Sequence, residues 1–337
     1  MPHLDALRGI AALIVAISHC ANAGLLPPIL GVGFGRMSVG LFFVLSAFLL
    51  TTLYTGASLN MWSARQHLVR RFARVLPLFY VALLASLLIE VLTGLTVFEA
   101  FDSPPVAIMN TFLIHGTSVL WSIPVELQFY FVFLALMNVD FKLAFGFLIM
   151  FQVIIGLAAI YFDIDKNSLP YWMHFFTVGC ALAVAIRNKW LISKVSESNL
   201  HKPLIFLSIP TLSILVPLAQ TGHFGFSGLP IMVDPLALLW VLCVSSVFIF
   251  KTIPINWVQN KFFGILGQLS FGVYLIHIAV IEAVSLAPLE NSIEKFTGFV
   301  LVIIVSYFLA AVSYRFVERP AQKWVVKSCG NREIYSS

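Results

Sequence analysis

Arg8 and His19 stand eleven residues apart in one apolar stretch, LDALRGIAALIVAISH. At about 100° per residue the two side chains fall within roughly 20° of one helix face and about 16 Å apart along its axis. An ionisable group in an apolar helix is expensive to bury and usually functional. Guanidinium holds anions in a bidentate fork, and imidazole suits general-base or nucleophilic work near neutral pH. One helix face therefore carries a candidate anion anchor and a candidate proton acceptor.

Four further stretches carry residues of the same kind. In RRFARVLPLFY, Arg71 and Arg74 are neighbours on a helix face, with Arg65 and Arg70 close by. They read either as a positive anchor at an inner helix end or as a clamp for phosphates. In WSIPVELQFY, Ser122 and Tyr130 flank Glu126 at i−4 and i+4, Pro124 fits an early helical turn, and Trp121 suits a membrane-interface belt. A carboxylate at that depth needs a partner, and His19 is the expected one. In SFGVYLIH, His277 falls at the same counted depth as His19, so the expectation is that His19, Glu126 and His277 converge on one level. A structural hydrogen bond is the other reading of His277. In GLFFVLSAFLL, Ser46 is either a site residue or a packing and backbone-bonding residue beside Gly40 and Ala47.

Two patterns read as structural. In RFVERP, Arg315 and Glu318 are placed for an i,i+3 ion pair. His3, His67, His115, His174, His201 and His223 show no metal-ligand spacing, and Cys20, Cys180, Cys243 and Cys329 stand far apart, so no metal site is expected.

Membrane helices must position these residues. The 337 residues are 60% hydrophobic and only 10% charged, with a mean hydropathy of +0.97, against about 25% charged in a soluble domain. The composition predicts an all-α, polytopic membrane bundle. Breakers and hydropathy divide it into about ten spans, near 5–26, 36–54, 75–96, 120–138, 142–162, 171–187, 203–219, 232–250, 263–287 and 297–317. The apolar segment 104–115 is too short to cross and is expected to lie at the interface or re-enter. With the N-terminus inside, only Arg36, Lys166 and Lys295 of the 20 lysines and arginines fall in outer segments. That asymmetry predicts both termini in the cytoplasm. It also accounts for the net charge of +5, so nucleic acid is an unnecessary partner. The first run is too long for a signal-peptide core, so it is expected to stay as a helix. Residues 1–320 are expected to form one transmembrane domain and 321–337 a short cytoplasmic tail, with no soluble domain before or after.

The stretches LDALRGIAALIVAISH, GLFFVLSAFLL, RRFARVLPLFY, WSIPVELQFY, SFGVYLIH and RFVERP, in that order, resemble the acyltransferase-3 family of membrane O-acyltransferases. The resemblance covers nearly the whole chain. It implies acetyl-CoA, or another acyl-CoA, as donor substrate with no permanently bound cofactor. It also implies a carbohydrate acceptor across a bacterial inner membrane, such as O-antigen, exopolysaccharide or peptidoglycan. It maps the family's arginine-x-x-arginine motif to Arg71 and Arg74, its first-span pair to Arg8 and His19, and its glutamate to Glu126. Ala47 stands where the family often has glycine, which alters helix spacing and leaves the chemistry alone. Some relatives carry an extracytoplasmic esterase-like domain. None is seen here, which implies direct delivery or a separate partner.

On this reading Arg8, Arg71 and Arg74 hold the phosphates of acyl-CoA. His19 is general base or transient acyl carrier, with Glu126 orienting it. Ser46, Trp121, Ser122, Tyr130 and His277 are substrate-site candidates. A multi-span transporter of a glycan or lipid precursor is the alternative, although no repeat relates the two halves. A scaffold without chemistry leaves Arg8, His19 and Glu126 unexplained.

Overall fold

Apolar runs of membrane length fold as helices because the backbone then satisfies its own hydrogen bonds. The computed structural model describes residues 2–31, 33–54, 61–136, 141–162, 164–188, 201–220, 235–250, 258 and 260–328. Every regular element among the described residues is helical. They are α1 (Pro2–Asn22), α2 (Phe34–Tyr54), α3 (Met61–Thr93), α4 (Pro104–Thr111), α5 (Ser122–Leu136) and α6 (Phe141–Tyr161). After these come α7 (Leu169–Ala185), α8 (His201–Gln220), α9 (Pro235–Phe250), α10 (Lys261–Ser285), α11 (Ser292–Ser313) and α12 (Arg319–Ser328). Lys189, Lys194, His223, Lys251, Cys329 and Arg332 lie outside the described residues, as do the side chains of Arg65, His67, Lys142, His201 and Lys202.

Six helical stretches are long and apolar enough to cross a membrane: Pro2–Asn22, Pro28–Leu53, Leu68–Thr93, Ser118–Ala135, Lys261–Ser285 and Ser292–Val325. The other four expected spans coincide with shorter apolar helices, Gly146–Ile155, Leu169–Ala185, Leu207–Val216 and Leu236–Phe250. The core lies where α1 packs against α10 and α2, and α2 against α7. Glycines permit the closest of these approaches. A Cβ on Gly9 would meet the backbone of Leu266 and Gly267 at 2.7 Å, and one on Gly267 would meet the carbonyl oxygen of Asp5 at 2.1 Å. α1 and α10 therefore cross almost backbone to backbone beside Arg8.

α1 ends at Asn22, four residues before the expected boundary. Gly24 adopts φ 79°, the Gly24 N–H donates to the Ala21 carbonyl, and the Leu25 N–H donates to that of Cys20. This paired closure by a left-handed glycine is a strong helix stop. No proline follows Pro2 within α1, so the helix runs unbroken from Arg8 to His19.

α3 begins well before the expected span. The basic stretch is helical, and Pro77 lies inside the helix rather than in its first turn. Alanine, arginine, glutamine and leucine before it favour helix strongly enough to carry the chain through.

A π-helical turn, Tyr314–Glu318, joins α11 to α12. Its extra residue swings Glu318 into the protein, where it is 1% exposed and accepts a hydrogen bond from Ser313 Oγ at 3.3 Å. The expected Arg315–Glu318 pair is therefore not formed. Arg315 instead lies over the Phe316 ring, 5.8 Å from its centroid.

Candidate functional site

The N-terminal half of α1 brings Arg8 to an internal cavity whose empty space, open mouth included, is about 590 Å³. α3 contributes Arg71 and Arg74, one turn apart. α2 adds Ser46, α5 adds Ser122 and Glu126, and α10 adds Ser270 and Tyr274. Phe42, Phe43 and Phe271 form much of the apolar wall. Glu126 is held by two hydroxyls, since Ser46 Oγ and Tyr130 Oη both donate to its Oε1. Arg71 Nη1 lies 4.0 Å from the same oxygen, and its guanidinium sits 5.8 Å above the centre of the Tyr130 ring. Asp5, Glu126 and Glu318 are within electrostatic reach of Arg74. Opposite charge nearby makes this burial of guanidinium tolerable.

Tyr274 closes the cavity between α10 and the start of α5. Its hydroxyl donates to the Val119 carbonyl at 2.8 Å and accepts from Ser122 Oγ at 2.9 Å.

The far end of α1 has a different character. His19 occupies the last turn, partly exposed, and its ring centroid lies 5.1 Å from that of His277 with the planes inclined at 59°. Ser18 Oγ donates to the Gly31 carbonyl and accepts from the Gly35 N–H, both at 3.0 Å, which pins the connection to α2 beside the ring. His277 is fully buried, and its Nδ1–H donates to the Val273 carbonyl at 2.9 Å.

The structure thus brings Arg8, Ser46, Arg71, Arg74, Ser122, Glu126 and Tyr130 together, and His19 and His277 together. It does not join Glu126 to His19. The ends of the stretch 97–121 explain why. Val97, Phe98, Ala100, Val119, Leu120 and Trp121 are all at most 8% exposed, so both ends pack into the bundle and α5 starts from a buried turn. Glu126 is consequently level with the arginine end of α1.

The same burial moves Trp121 from the expected interface belt into an aromatic cluster. It is 6% exposed, stacks on Trp172 at 4.9 Å and meets Phe43 edge-on at 5.9 Å. Ser122 bonds Tyr274 rather than Glu126. Within 97–121, α4 is a short helix with Ile108 and Met109 exposed and Asn110 buried, anchored by Thr117. Tyr274 and Ser270 are the cavity residues that sequence reasoning passed over. Tyr274 stands three residues before His277 in SFGVYLIH, and that spacing places both on one face of α10.

A helical bundle that encloses arginines and a carboxylate, with His19 of α1 paired with His277 of α10 farther along, defines a membrane protein with a polar site built inside it. The profile of one family, described as an acyltransferase domain, matches residues 1–315, and the chain belongs to that acyltransferase-3 family. Similar proteins include the peptidoglycan O-acetyltransferase OatA of Listeria monocytogenes, 25% identical over 96% of this chain and 56% of that protein. The putative peptidoglycan O-acetyltransferase YrhL of Bacillus subtilis is also 25% identical, over 98% of this chain and 56% of its own length. The chain spans a little over half the length of these relatives. No solved structure matches it.

Proposed function

We propose that this protein transfers an acetyl group from cytosolic acetyl-CoA to a hydroxyl of an extracytoplasmic carbohydrate. On this reading it sits in a bacterial inner membrane with ten spans and both termini in the cytoplasm. The observation that carries the proposal is the enclosure of Arg8, Arg71 and Arg74 around one cavity. Guanidiniums gathered inside an apolar bundle repel one another unless an anion joins them. The phosphates of coenzyme A are anions of the right chemistry, available on the side to which the basic loops point. The flexible arm of the donor then runs along α1 and presents its thioester near His19, about 16 Å from Arg8.

His19 removes the proton of the acceptor hydroxyl while the hydroxyl oxygen attacks the thioester carbon. The carbon–sulfur bond breaks, and the coenzyme A thiolate takes the proton from His19. In the covalent route a His19 nitrogen attacks first and releases the thiolate; the hydroxyl oxygen then takes the acetyl group from the ring, and its proton passes through the freed imidazole to the thiolate. Glu126, away from His19, holds Arg71 and tunes the donor site. The names of the relatives favour a cell-envelope glycan such as peptidoglycan over O-antigen or exopolysaccharide.

The test uses purified protein in detergent with labelled acetyl-CoA. Free coenzyme A and labelled glycan appearing together support acetyl transfer. Movement of glycan across a vesicle membrane without coenzyme A release would replace this reading with transport. Label retained on the protein without acceptor supports the covalent route, and its absence favours the general-base route.

A further inference from the structure

The proton on the His277 ring is fixed by its neighbour. The Val273 carbonyl only accepts, so Nδ1 carries the hydrogen and Nε2 keeps a bare lone pair. That Nε2 is buried and has no hydrogen-bond partner among the described residues. A stranded buried acceptor of this kind is costly, and native proteins keep few of them without a use. Tyr274, whose ring lies 6.2 Å away, cannot supply the donor, because its hydroxyl proton goes to the Val119 carbonyl. The other ring beside His277 that could supply a donor is His19. Its centroid separation of 5.1 Å is close to that of two imidazoles joined by one N–H···N bond of about 2.9 Å. The two rings are inclined at 59° and unbonded as they stand. His19 is partly exposed and has room to turn, whereas His277 is packed on all sides. Catalytic hydrogen bonds commonly tighten only when substrate binds.

We propose that His277 is the positioning residue of His19: its Nε2 accepts a hydrogen bond from the His19 ring in the substrate complex. This role rests on the acyl-transfer reading and takes the place first expected of Glu126. The bond turns the other His19 nitrogen toward the acceptor hydroxyl. It also steadies the imidazolium formed when the hydroxyl proton moves to His19, before that proton passes to the departing thiolate. In the covalent route the same bond leaves the opposite nitrogen free to attack the thioester carbon.

The experiment compares His277→Phe and His277→Gln in purified protein, with labelled acetyl-CoA and a peptidoglycan acceptor. Phenylalanine fills the space and has no acceptor, whereas the glutamine carbonyl reaches close to the position of Nε2. Expected for His277→Phe is a kcat lower by about tenfold to hundredfold, with KM for acetyl-CoA within about twofold of wild type. His277→Gln recovers a large part of kcat. In a His19→Ala background the added His277→Phe leaves the residual rate unchanged, because the two act as a unit.

Wild-type kcat in His277→Phe overturns the role. So does equal damage to kcat and KM in both variants, which marks a packing residue. Should His277→Phe not fold, His277→Met, similar in volume and without a comparable acceptor, takes its place in the comparison. A wild-type protein that releases no coenzyme A overturns the acyl-transfer reading and this role with it. An active wild type beside an unimpaired His277→Phe overturns the role alone.

Discussion

Around Arg8 the bundle gathers charge. Three arginines share a cavity with Glu126, and that carboxylate is bound by Ser46, Tyr130 and Arg71. Around His19 it gathers imidazole and aromatic rings, and one buried nitrogen of His277 has no partner among the described residues. A charged, hydrogen-bonded cavity is suited to holding a polyanion in place. A pair of adjacent imidazoles is suited to moving one proton and does little for binding. On the acyl-transfer proposal, binding and proton transfer are separated along one helix, with donor and acceptor approaching from opposite sides.

Substitution at each end should fail in a different way. The largest effect is expected from His19→Ala, which should lower acetyl transfer by at least about 10³-fold while acetyl-CoA affinity and thermal melting stay near wild type. Near-normal transfer by the purified variant would remove the histidine end from the reaction. Next, Arg71→Ala and Arg74→Ala should each weaken acetyl-CoA binding by about tenfold to hundredfold, read by calorimetry, with a smaller change in kcat. Unchanged affinity in both would remove the arginines from the donor site.

Gly267→Val tests the crossing that holds the two ends in register. Its side chain would strike the Asp5 backbone, lowering stability by about 1–3 kcal/mol, seen as a lower melting temperature with binding and rate falling together. The smallest effect belongs to Tyr274→Phe. It loses its bonds to Val119 and Ser122, about 1 kcal/mol of stability, and its kinetic constants should stay within about threefold of wild type. A larger loss in kcat would give Tyr274 a part in the chemistry.

Much of this arrangement is legible in local spacing. Arg8 and His19 lie on one uninterrupted helix, so counting residues places them correctly relative to each other. Arg71, Arg74 and the Tyr130–Glu126 pair follow from i,i+3 and i,i+4 geometry in the same way. Depth comparisons between helices fared unevenly, because each needs a reference plane that spacing does not supply. The reference held for His19 and His277, which meet. It failed for Glu126, because the ends of the stretch 97–121 pack into the bundle before α5 begins. The π-helical turn at Tyr314–Glu318 escaped for a related reason: one added residue per turn breaks the i,i+3 rule on which the Arg315–Glu318 pair was drawn.

The unbroken run of α1 gives the protein a ruler. With no proline between Arg8 and His19, the graduations are set by the helix rise of about 1.5 Å per residue. A single alanine inserted between Ile10 and Ser18 would turn His19 by about 100° relative to Arg8, leaving both ends intact but out of phase. A donor with a truncated arm would still seat its phosphates among the arginines yet stop short of the imidazole. On the acyl-transfer proposal, choice of donor would be a matter of length as much as of chemistry.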